Sequence, residues 1–237
     1  MINEGDTIGL ITARSGSKRL PNKNILNFHK KPLIAWSIEA ALNSKYIDEV
    51  IVSTNDHRIS DIAKEHGAEV PFLRPSSLAK DSSKSIKVIE HTINSLAQVN
   101  RNFTHLVLLQ PTSPLRTSQH IDEAIELYKR KKAKAVISLT KIEHPIEWTG
   151  MISEDLLMND FLNKGLGNSQ SQEFLSRYQI NGAIYVINID SFQKKKALIF
   201  RDETFAYIMQ NSDSIDIDNY LDFKLAETIM ANEIQDL

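Results

Sequence analysis

The chain has 237 residues, of which 28 are Lys or Arg, 30 are Asp or Glu and none is cysteine, and its formal charge is −2. This composition excludes a disordered tail, a collagen-like fibre and a disulfide-stapled mini-protein, because each of these requires a bias that the sequence lacks. The near-neutral charge argues against broad binding to nucleic acid, and no apolar run approaches the roughly 18 residues of a membrane span. We therefore expect one globular domain over residues 1–237, with neither nucleic acid nor membrane as a partner.

The location of the protein is predicted from two features. A chain without cysteine suits the reducing cytoplasm. Residues 1–6 carry two acids and lack the basic segment that begins a secretory signal. Both features favour a cytoplasmic protein.

Apolar runs of strand length alternate with longer segments of helical period, which is the pattern of βα units around a parallel sheet. From residue 144 to 180 this periodicity weakens and the composition turns to Asn, Ser, Gln and Gly, so we predict an excursion from the sheet there. The fold class is therefore predicted to be α/β. In chain order the pattern predicts strand 7–13, helix 32–44, strand 49–54, helix 56–66, helix 85–98, strand 105–110, helix 118–131, strand 135–140, strand 181–189, strand 204–209 and helix 218–232.

A basic loop follows the first predicted strand, where α/β sheets bind their ligands. Residues 14–31 hold six Lys or Arg and no acid, and three small residues there allow backbone N–H groups to approach a phosphate: Ser15, Gly16 and Ser17. The loop matches neither a Walker motif nor a dinucleotide fingerprint. It predicts a triphosphate site, and a solvated basic turn is an equally good interpretation of these residues alone.

Acid and isoleucine alternate from 214 to 218, at the strand period, which predicts that Asp216 and Asp218 point to one side. Two carboxylates suffice for one Mg²⁺ beside a nucleotide, because water and phosphates complete its coordination shell. In the alternative interpretation Asp218 caps the last helix and Asp216 is solvated. The residues alone favour that alternative, because Asp is a preferred N-cap.

Three polar residues at strand ends are further candidates for ligand binding. Gln110 ends a buried strand and offers both an acceptor and donors, although it could equally stabilise the following turn. Asn181 and Tyr185 lie at the rim of another apolar strand, where a turn residue and a half-buried aromatic are the alternative roles. The histidines show no metalloenzyme spacing, and the Gly-x-Ser-x-Gly motif of serine hydrolases is absent.

Five segments, in this order, resemble the acylneuraminate cytidylyltransferases, the enzymes that make CMP-sialic acids. The resemblance covers nearly the whole chain, and the ordered set is far more specific than any one member. The segments are ARSGSKRLPNKN (13–24), LRPSSLAKDSSKS (73–85), LQPTSPLRT (109–117), NGAIY (181–185) and SIDID (214–218).

The resemblance implies a Rossmann-like, mostly parallel sheet with helices on both faces, and a small element near 144–180 that docks on a second subunit of a homodimer. It implies CTP and a sugar acid as substrates and Mg²⁺ as cofactor, with the metal held by Asp216 and Asp218. The sugar acid would face Gln110, Asn181 and Tyr185. The nucleotide would be bound by residues of the first loop and of the 73–85 segment, and the cytidine would lie near Asn24, Arg74 and Ser85. The other nucleotide-binding residues would be Ala13, Arg14, Ser15, Gly16, Ser17, Lys18 and Lys23.

The reaction so implied is attack of the anomeric hydroxyl of the sugar acid on the α-phosphorus of CTP, with release of pyrophosphate. Such a transfer asks the protein mainly for alignment and charge neutralisation. The catalytic set would then be Arg14, Lys18, Lys23 and Asp216. In this hypothesis Asp216 acts through the metal, which lowers the pKa of the bound hydroxyl, and no side chain stands out as a separate base.

The sequence departs from the family pattern in ways that bear on the sugar. Gln179 and Glu147 stand where many relatives have an arginine and a lysine, and KPLIAWSIEAA (31–41) and GAEVPFLRP (67–75) also resemble the relatives that activate legionaminic and pseudaminic acids. Those acids are therefore alternative substrates. A 3-deoxy-manno-octulosonate substrate ranks lower, and two other classes stay open: a nucleotide-sugar-dependent glycosyltransferase and a silent nucleotide-binding protein.

Overall fold

The computed structural model describes residues 7–158 and 175–235 of the chain. A six-stranded sheet has the order β4-β1-β5-β7-β6-β8, and a two-stranded hairpin, β2-β3, lies outside it. The strands are β1 (Thr7–Thr12), β2 (Asn27–Phe28), β3 (Lys31–Pro32), β4 (Glu49–Ser53), β5 (His105–Leu109), β6 (Ala135–Lys141), β7 (Tyr178–Asn188) and β8 (Thr204–Met209). The helices are α1 (Leu33–Leu42), α2 (His57–Glu65), α3 (Ser85–Ala97), α4 (Ser118–Lys131), α5 (Ile189–Lys195) and α6 (Tyr220–Gln235).

The sheet is mixed. Strand β1 pairs in parallel with β4 and β5, and β6 pairs in parallel with β8, whereas β7 runs antiparallel between β5 and β6. Three of its five pairings are thus parallel, which confirms the predicted α/β class. The antiparallel direction of β7 brings its first half, residues 178–183, to the edge of the sheet at which β1 and β5 end.

Two apolar cores cover the two faces of the sheet. Along β5, Val107 and Leu109 pack into one core with α1, α2 and α4, while Leu106 and Leu108 pack into the other with α3 and α5. This alternation follows from the two-residue period of a strand, and it confirms helices on both faces. No helix in the described part of the chain is long and apolar enough to cross a membrane.

A third apolar cluster joins the start of the chain to its end. Leu20 and Phe28, both within residues 14–31, pack with Ile217 and with Phe223 of α6. Ile217 is fully buried and lies between the two predicted metal ligands. The apolar positions of the 214–218 alternation therefore anchor this segment against the basic loop.

The predicted bounds mostly agree with the structure to within two residues, and the larger differences lie in the last third of the chain. The strand predicted over 181–189 begins earlier, at Tyr178, and ends at Asn188. It is followed by α5, a helix that the sequence analysis did not predict. Asn188 caps this helix, because its Oδ1 accepts a hydrogen bond of 2.9 Å from Ser191 N. Residues 214–218 are not a strand, because they lie outside the sheet ladders and follow a short 3₁₀ helix at Ser212–Ser214. The last helix begins at Tyr220 rather than at 218.

The predicted excursion lies partly outside the described residues. Within the described parts, 144–158 and 175–177 contain no strand and only a 3₁₀ turn at Ile146–Trp148, as the weak periodicity predicted, while residues 159–174 are not described. Strands β6 and β7 pair as far as Lys141 and Tyr178, so the excursion leaves and re-enters the sheet at one place. Its role in dimerisation stays a prediction.

Candidate active site

A cavity of about 210 Å³ opens beyond the carboxyl ends of β1 and β5. It brings together the basic loop, the turn after β5 and the acidic pair, which lie at opposite ends of the sequence. Its lining consists of Thr12, Arg14, Ser17, Lys23, Asn24, Ser85, Leu108, Gln110, Pro111, Thr112, Asp216 and Asp218. Of the residues that the sequence predicted for the site, the following lie outside this lining: Ala13, Ser15, Gly16, Lys18, Arg74, Asn181 and Tyr185.

Lys23 connects the basic loop to the acidic segment. Its Nζ donates to the carbonyl oxygen of Ile217 at 2.6 Å and to Asp218 Oδ1 at 3.1 Å. The ammonium is largely enclosed, with 12% of the Lys23 side chain exposed, while Arg19 reaches Asp218 Oδ2 from the solvent side at 3.1 Å. A cation so placed lies against both a carboxylate and the cavity, which is where it could neutralise a phosphate.

Asp218 does not cap the last helix, so the alternative interpretation of the acidic pair is wrong on this point. The cap is Asn219, whose Oδ1 accepts from the backbone N–H groups of Leu221 at 2.8 Å and Asp222 at 3.1 Å. Asp222 in turn accepts from the backbone N–H of Asp218 at 2.9 Å. The neighbouring residue provides the cap, and the Asp218 carboxylate is left to face Lys23 and the cavity.

Thr112 fixes the position of Asp216. Its carbonyl oxygen accepts from Ile217 N at 2.8 Å, while its hydroxyl donates to Gln110 Oε1 at 3.4 Å and lies close enough to the Asp216 carboxylate to lower the pKa of that group. Asp216 is exposed to solvent, as the alternative interpretation held, yet the pKa of its carboxyl is raised above its ordinary value, chiefly because the neighbouring protein limits its hydration, and further by the negative charge of Asp218. The Thr112 hydroxyl and the charge of Lys23 oppose this rise.

The residues of this cavity fit a divalent cation. The negative charge of Asp218 contributes to the raised pKa of Asp216, and a cation between the two carboxylates would reduce this repulsion. No group of three or more His, Asp or Glu side chains converges within residues 7–158 and 175–235. A pair is nevertheless enough for Mg²⁺ beside a polyphosphate, since phosphate oxygens and water supply the other ligands.

The outer part of the basic loop is held by an acid that the sequence did not single out for the site. Asp81 forms ion pairs with Arg14 at 2.6 Å and with Lys18 at 2.7 Å, and all three side chains are accessible to solvent. These two cations lower the pKa of Asp81 below its ordinary value. A carboxylate thus binds the two side chains that were predicted to bind phosphate.

The inner backbone of the loop is shaped by its neighbours. Ala13 N donates to the carbonyl oxygen of Ser53, and Ser15 N donates to Asn55 Oδ1, so these two amides are already engaged. Gly16 has a φ of +81°, which side-chain-bearing residues rarely adopt, while no atom lies close to where its Cβ would be. The glycine is therefore required by the turn, not by a close approach.

Two buried side chains beside Arg14 carry polar atoms for which the described part of the chain offers no partner. Arg74 is 5% exposed, and its Nε and Nη2 make no hydrogen bond there. Burial, followed by the positive charge of Arg14, lowers the pKa of Arg74 to about 10. Asn24 donates through Nδ2 to the carbonyl oxygen of Arg14 at 3.0 Å, but its buried Oδ1 accepts from no described group. Such atoms suit a ligand that offers both acceptors and donors.

The residues predicted for the sugar acid are placed differently from one another. Gln110 lines the cavity and packs against Gly182, where a Cβ would lie 2.8 Å from Gln110 Oε1. Asn181 is buried, and its side chain binds within the protein: Oδ1 accepts from Ser138 Oγ at 2.6 Å, and Nδ2 donates to Ser214 Oγ at 2.9 Å. Its amide therefore holds the 211–218 segment to the sheet.

Tyr185 lies on β7, opposite Leu108 of β5. Burial raises the pKa of its hydroxyl, and the negative charge of Asp216 raises it further, which places the ring beside the acidic pair. Gln179 lies elsewhere, in the wall of a second cavity of about 880 Å³, which Ser214 and Ile215 also line.

Comparison with known proteins identifies the family of this chain. A sequence model of the family described as "Cytidylyltransferase" matches residues 8–232. The chain is 38% identical over 224 residues to the N-acylneuraminate cytidylyltransferase of Escherichia coli O18:K1:H7, which covers 94% of this chain and 51% of that protein. The chain thus spans about half the length of that relative.

Two other relatives match over almost their whole length. The pseudaminic acid cytidylyltransferase of Campylobacter jejuni is 32% identical over 93% of this chain and 94% of its own. The CMP-N,N'-diacetyllegionaminic acid synthase of Legionella pneumophila is 35% identical over 94% of this chain and 95% of its own.

Among solved structures, the fold is similar to that of CMP:2-keto-3-deoxy-manno-octonic acid synthetase complexed with CTP. The TM-score is 0.70 at 16% identity, over 96% of this chain and 99% of that one, which speaks for the fold alone. The family match and the three relatives confirm the resemblance read from the five segments: the chain belongs to the cytidylyltransferase family.

Proposed function

We propose that this protein transfers the cytidylyl group of CTP to the anomeric hydroxyl of a nine-carbon 2-keto sugar acid, giving the CMP-sugar and pyrophosphate. N-acylneuraminate is the leading acid, and legionaminic and pseudaminic acids are the alternatives, because relatives named for all three match this chain. The observation that carries the proposal is the meeting of Lys23 with Asp218 at the wall of one cavity.

The triphosphate is bound by the basic loop in this proposal. Lys23 lies inside the cavity wall and Arg14 also lines it, so both can neutralise phosphate oxygens. Lys18 is highly exposed and held by Asp81, so it reaches a phosphate only after that ion pair opens. Since a charge fixed in a partly enclosed site acts more strongly than one in water, Lys23 contributes most to catalysis.

The cytosine ring is bound by the buried groups near Arg14. Arg74 offers two donors that have no partner in the described residues, and Asn24 offers a similarly unpartnered acceptor. Cytosine presents acceptors at O2 and N3 and a donor at N4, which complement these atoms. Ser85, the first residue of α3, lines the cavity of about 210 Å³ together with Asn24, whereas Arg74 lies outside that lining.

The sugar acid occupies the side of the cavity formed by Gln110, with Tyr185 near Asp216 but outside the lining of that cavity. A cavity of about 210 Å³ is small for a nucleotide and a nine-carbon acid together. The segment that lines it with Asp216 also lines the larger cavity with Ser214. We assign part of the acid to that larger space. Asn181 then acts by holding this partition in place through Ser214.

The reaction forms a bond between the anomeric oxygen and the α-phosphorus and breaks the bond from the α-phosphorus to the bridging oxygen, so that pyrophosphate leaves and the proton of the hydroxyl passes to water. Asp216 and Asp218 would hold one Mg²⁺, which supplies charge neutralisation and lowers the pKa of a bound hydroxyl. Lys23 and Arg14 neutralise charge that builds up on the phosphates, and the loop aligns the leaving group.

We further propose that the protein is a homodimer that uses the excursion. Of the described residues, the exposed large apolar side chains concentrate at 146–158 and 175–180, and a patch of this kind marks an interaction surface. The partner that we propose is a second copy of this chain. We also propose a cytoplasmic location, with which the absence of cysteine accords. The patch consists of Ile146, Trp148, Met151, Ile152, Leu156, Leu157, Met158, Leu175, Tyr178 and Ile180.

The test is pyrophosphate release from CTP and Mg²⁺ with a panel of N-acetylneuraminic, legionaminic, pseudaminic and octulosonic acids. The proposal expects release that depends on one of the nine-carbon acids, with the best kcat/KM identifying it. Release with none of them, while CTP still binds, would support a silent nucleotide-binding protein. Release of free nucleotide from a nucleotide sugar instead would identify a glycosyltransferase.

A further inference from the structure

Arg116 is a buried cation in the turn between β5 and α4. It is 1% exposed and is among the largest fully buried side chains of the described residues. Nothing in the proposed chemistry uses it, since it does not line the cavity of about 210 Å³. Charged side chains are seldom buried to this extent without an ionic partner, because removal of water from the charge is costly.

The guanidinium of Arg116 bridges two strands at the point where their pairing stops. The ladder between β5 and β7 ends with Leu109 opposite Ile184. One step further, Arg116 Nη1 donates to the carbonyl oxygens of both Gln110, at 3.3 Å, and Ala183, at 3.2 Å. The side chain thus continues the cross-strand connection beyond the last backbone pair.

This bridge acts on the residue that faces the sugar acid. The carbonyl oxygen of Gln110 accepts from Arg116, and also from Ser37 Oγ of α1 at 3.1 Å and from Ser113 N at 3.4 Å. The carboxamide of Gln110 lies against Gly182, next to Ala183. Ser37 connects Gln110 to α1, whereas the Arg116 bridge and the Gly182 contact connect it to β7. If the bridge were lost, the end of β5 could move away from β7, and the carboxamide would lose its defined position.

The bridge is an expensive way to stabilise a turn. Within the described residues, Nε and Nη2 of Arg116 have no hydrogen-bond partner, and no carboxylate forms an ion pair with it. Burial alone lowers its pKa to about 9. Replacing a buried charge by an apolar side chain of similar volume is often neutral for stability or stabilises the protein. Stability alone therefore does not account for an arginine here.

We propose that Arg116 is a positioning residue that sets the affinity for the sugar acid by holding Gln110 against Gly182 and Ala183. This inference rests on the proposed function, in which Gln110 contacts the acid. Since Arg116 reaches neither the basic loop nor the acidic pair, its effect falls on the acid and not on CTP.

The test uses Arg116→Met, Gln110→Ala and the double variant, with steady-state kinetics for both substrates. We expect Arg116→Met to raise KM for the acid about tenfold while KM for CTP stays within about twofold and the melting temperature is not lowered. In the Gln110→Ala background the same substitution should add little, because the residue on which it acts is gone.

Three results would overturn the inference: an unchanged KM for the acid, an equal effect on both substrates, or full additivity with Gln110→Ala. Should Arg116→Met fail to fold, Arg116→Lys replaces it, since lysine keeps the charge but lacks the planar fork, and again a raised KM for the acid is expected. A wild-type protein that releases no pyrophosphate with any acid would refute the proposed function itself, and the two failures are thereby distinguished.

Discussion

Lys23 Nζ lies 3.1 Å from Asp218 Oδ1, although 195 positions separate the two residues. The contact depends on the apolar cluster in which Leu20 and Ile217 pack together. Burial of these side chains places the end of the chain against the basic loop, and the ionic groups on either side of them then face one cavity. The ion pair is therefore a consequence of packing, and in the proposed function it keeps a cation and a carboxylate ready for a nucleotide.

The first prediction concerns Lys23. We expect Lys23→Met to lower kcat about 100-fold or more, because a preorganised charge beside the phosphates is lost. The methionine should leave the fold intact, since it keeps most of the apolar volume, which circular dichroism can check. The matched control is Lys30→Met, an exposed lysine of the same basic stretch outside the cavity, and its kcat should match that of the wild type. Equal kinetics for both variants would mean that the loop is only a turn.

The second prediction concerns Asp216, where function and stability oppose each other. Because the folded protein raises the pKa of Asp216, its contribution to stability is present below the ordinary pKa of Asp and is lost as pH rises through the folded pKa. At pH 7 the ionised carboxylate therefore costs stability. We expect Asp216→Asn to raise the melting temperature of the metal-free protein at pH 7, with a smaller gain at pH 4, and to lower Mg²⁺-dependent turnover at least about 100-fold.

Asp218→Asn is the contrasting variant for that experiment. Asp218 is paired with Lys23 and Arg19, so its removal leaves an enclosed ammonium without its carboxylate. This variant should not raise the melting temperature, while it too should lose turnover. A melting temperature that falls in Asp216→Asn, or full activity with Mg²⁺ in either variant, would contradict the assignment of the pair.

The third prediction concerns Asp81. Its carboxylate occupies Arg14 and Lys18, so the triphosphate must displace it before it can bind to both. We expect Asp81→Asn to bind CTP about threefold more tightly in calorimetry at low salt, with a smaller gain at high salt, because the competing ion pairs are exposed and screened. The control is Asp61→Asn, which removes an exposed charge from α2. Weaker binding to Asp81→Asn would instead make Asp81 a group that orients the cations.

The fourth prediction concerns Gly182. A Cβ at this position would meet Gln110 Oε1 at 2.8 Å, and the φ of +78° is rarely adopted by residues with side chains. We expect Gly182→Ala to lower the free energy of unfolding by about 1–3 kcal/mol and to raise KM for the sugar acid. Gly16→Ala is the matched control, because its φ is also positive but no atom lies within 4 Å of the built Cβ. If both variants changed KM for the acid equally, the contact with Gln110 would not matter.

Periodicity predicted most of the fold, because the buried faces of helices and strands determine the spacing of apolar residues in the sequence. The helix at 118–131 and the strand at 204–209 have the predicted bounds. The direction of β7 could not be predicted, since a buried strand has the same pattern whether it runs parallel or antiparallel. Its direction depends on the path of the chain between 142 and 177, where the sequence carries little pattern.

The site could be predicted only where charge and backbone chemistry are local. The basic loop and the acidic pair are visible as residue patterns, and the structure places Lys23, Asp216 and Asp218 around one cavity. The contact of Asp81 with Arg14 and Lys18 arises from the fold, and the spacing of these residues in the sequence does not predict it. The burial of Arg116 could not be predicted from the sequence either, since an arginine in a Pro- and Ser-rich turn is ordinarily exposed.

The central claim is that the basic loop and the acidic pair hold one metal-bound nucleotide together. Its most direct test is a crystal of the protein grown with CTP and Mn²⁺, in which the anomalous signal of manganese locates the cation. We predict a peak within about 2.2 Å of oxygens from Asp216 and Asp218 and of a phosphate oxygen, with Lys23 contacting the triphosphate. Manganese or CTP bound away from these two carboxylates, with Lys23 still paired to Asp218 and touching no phosphate, would contradict the account.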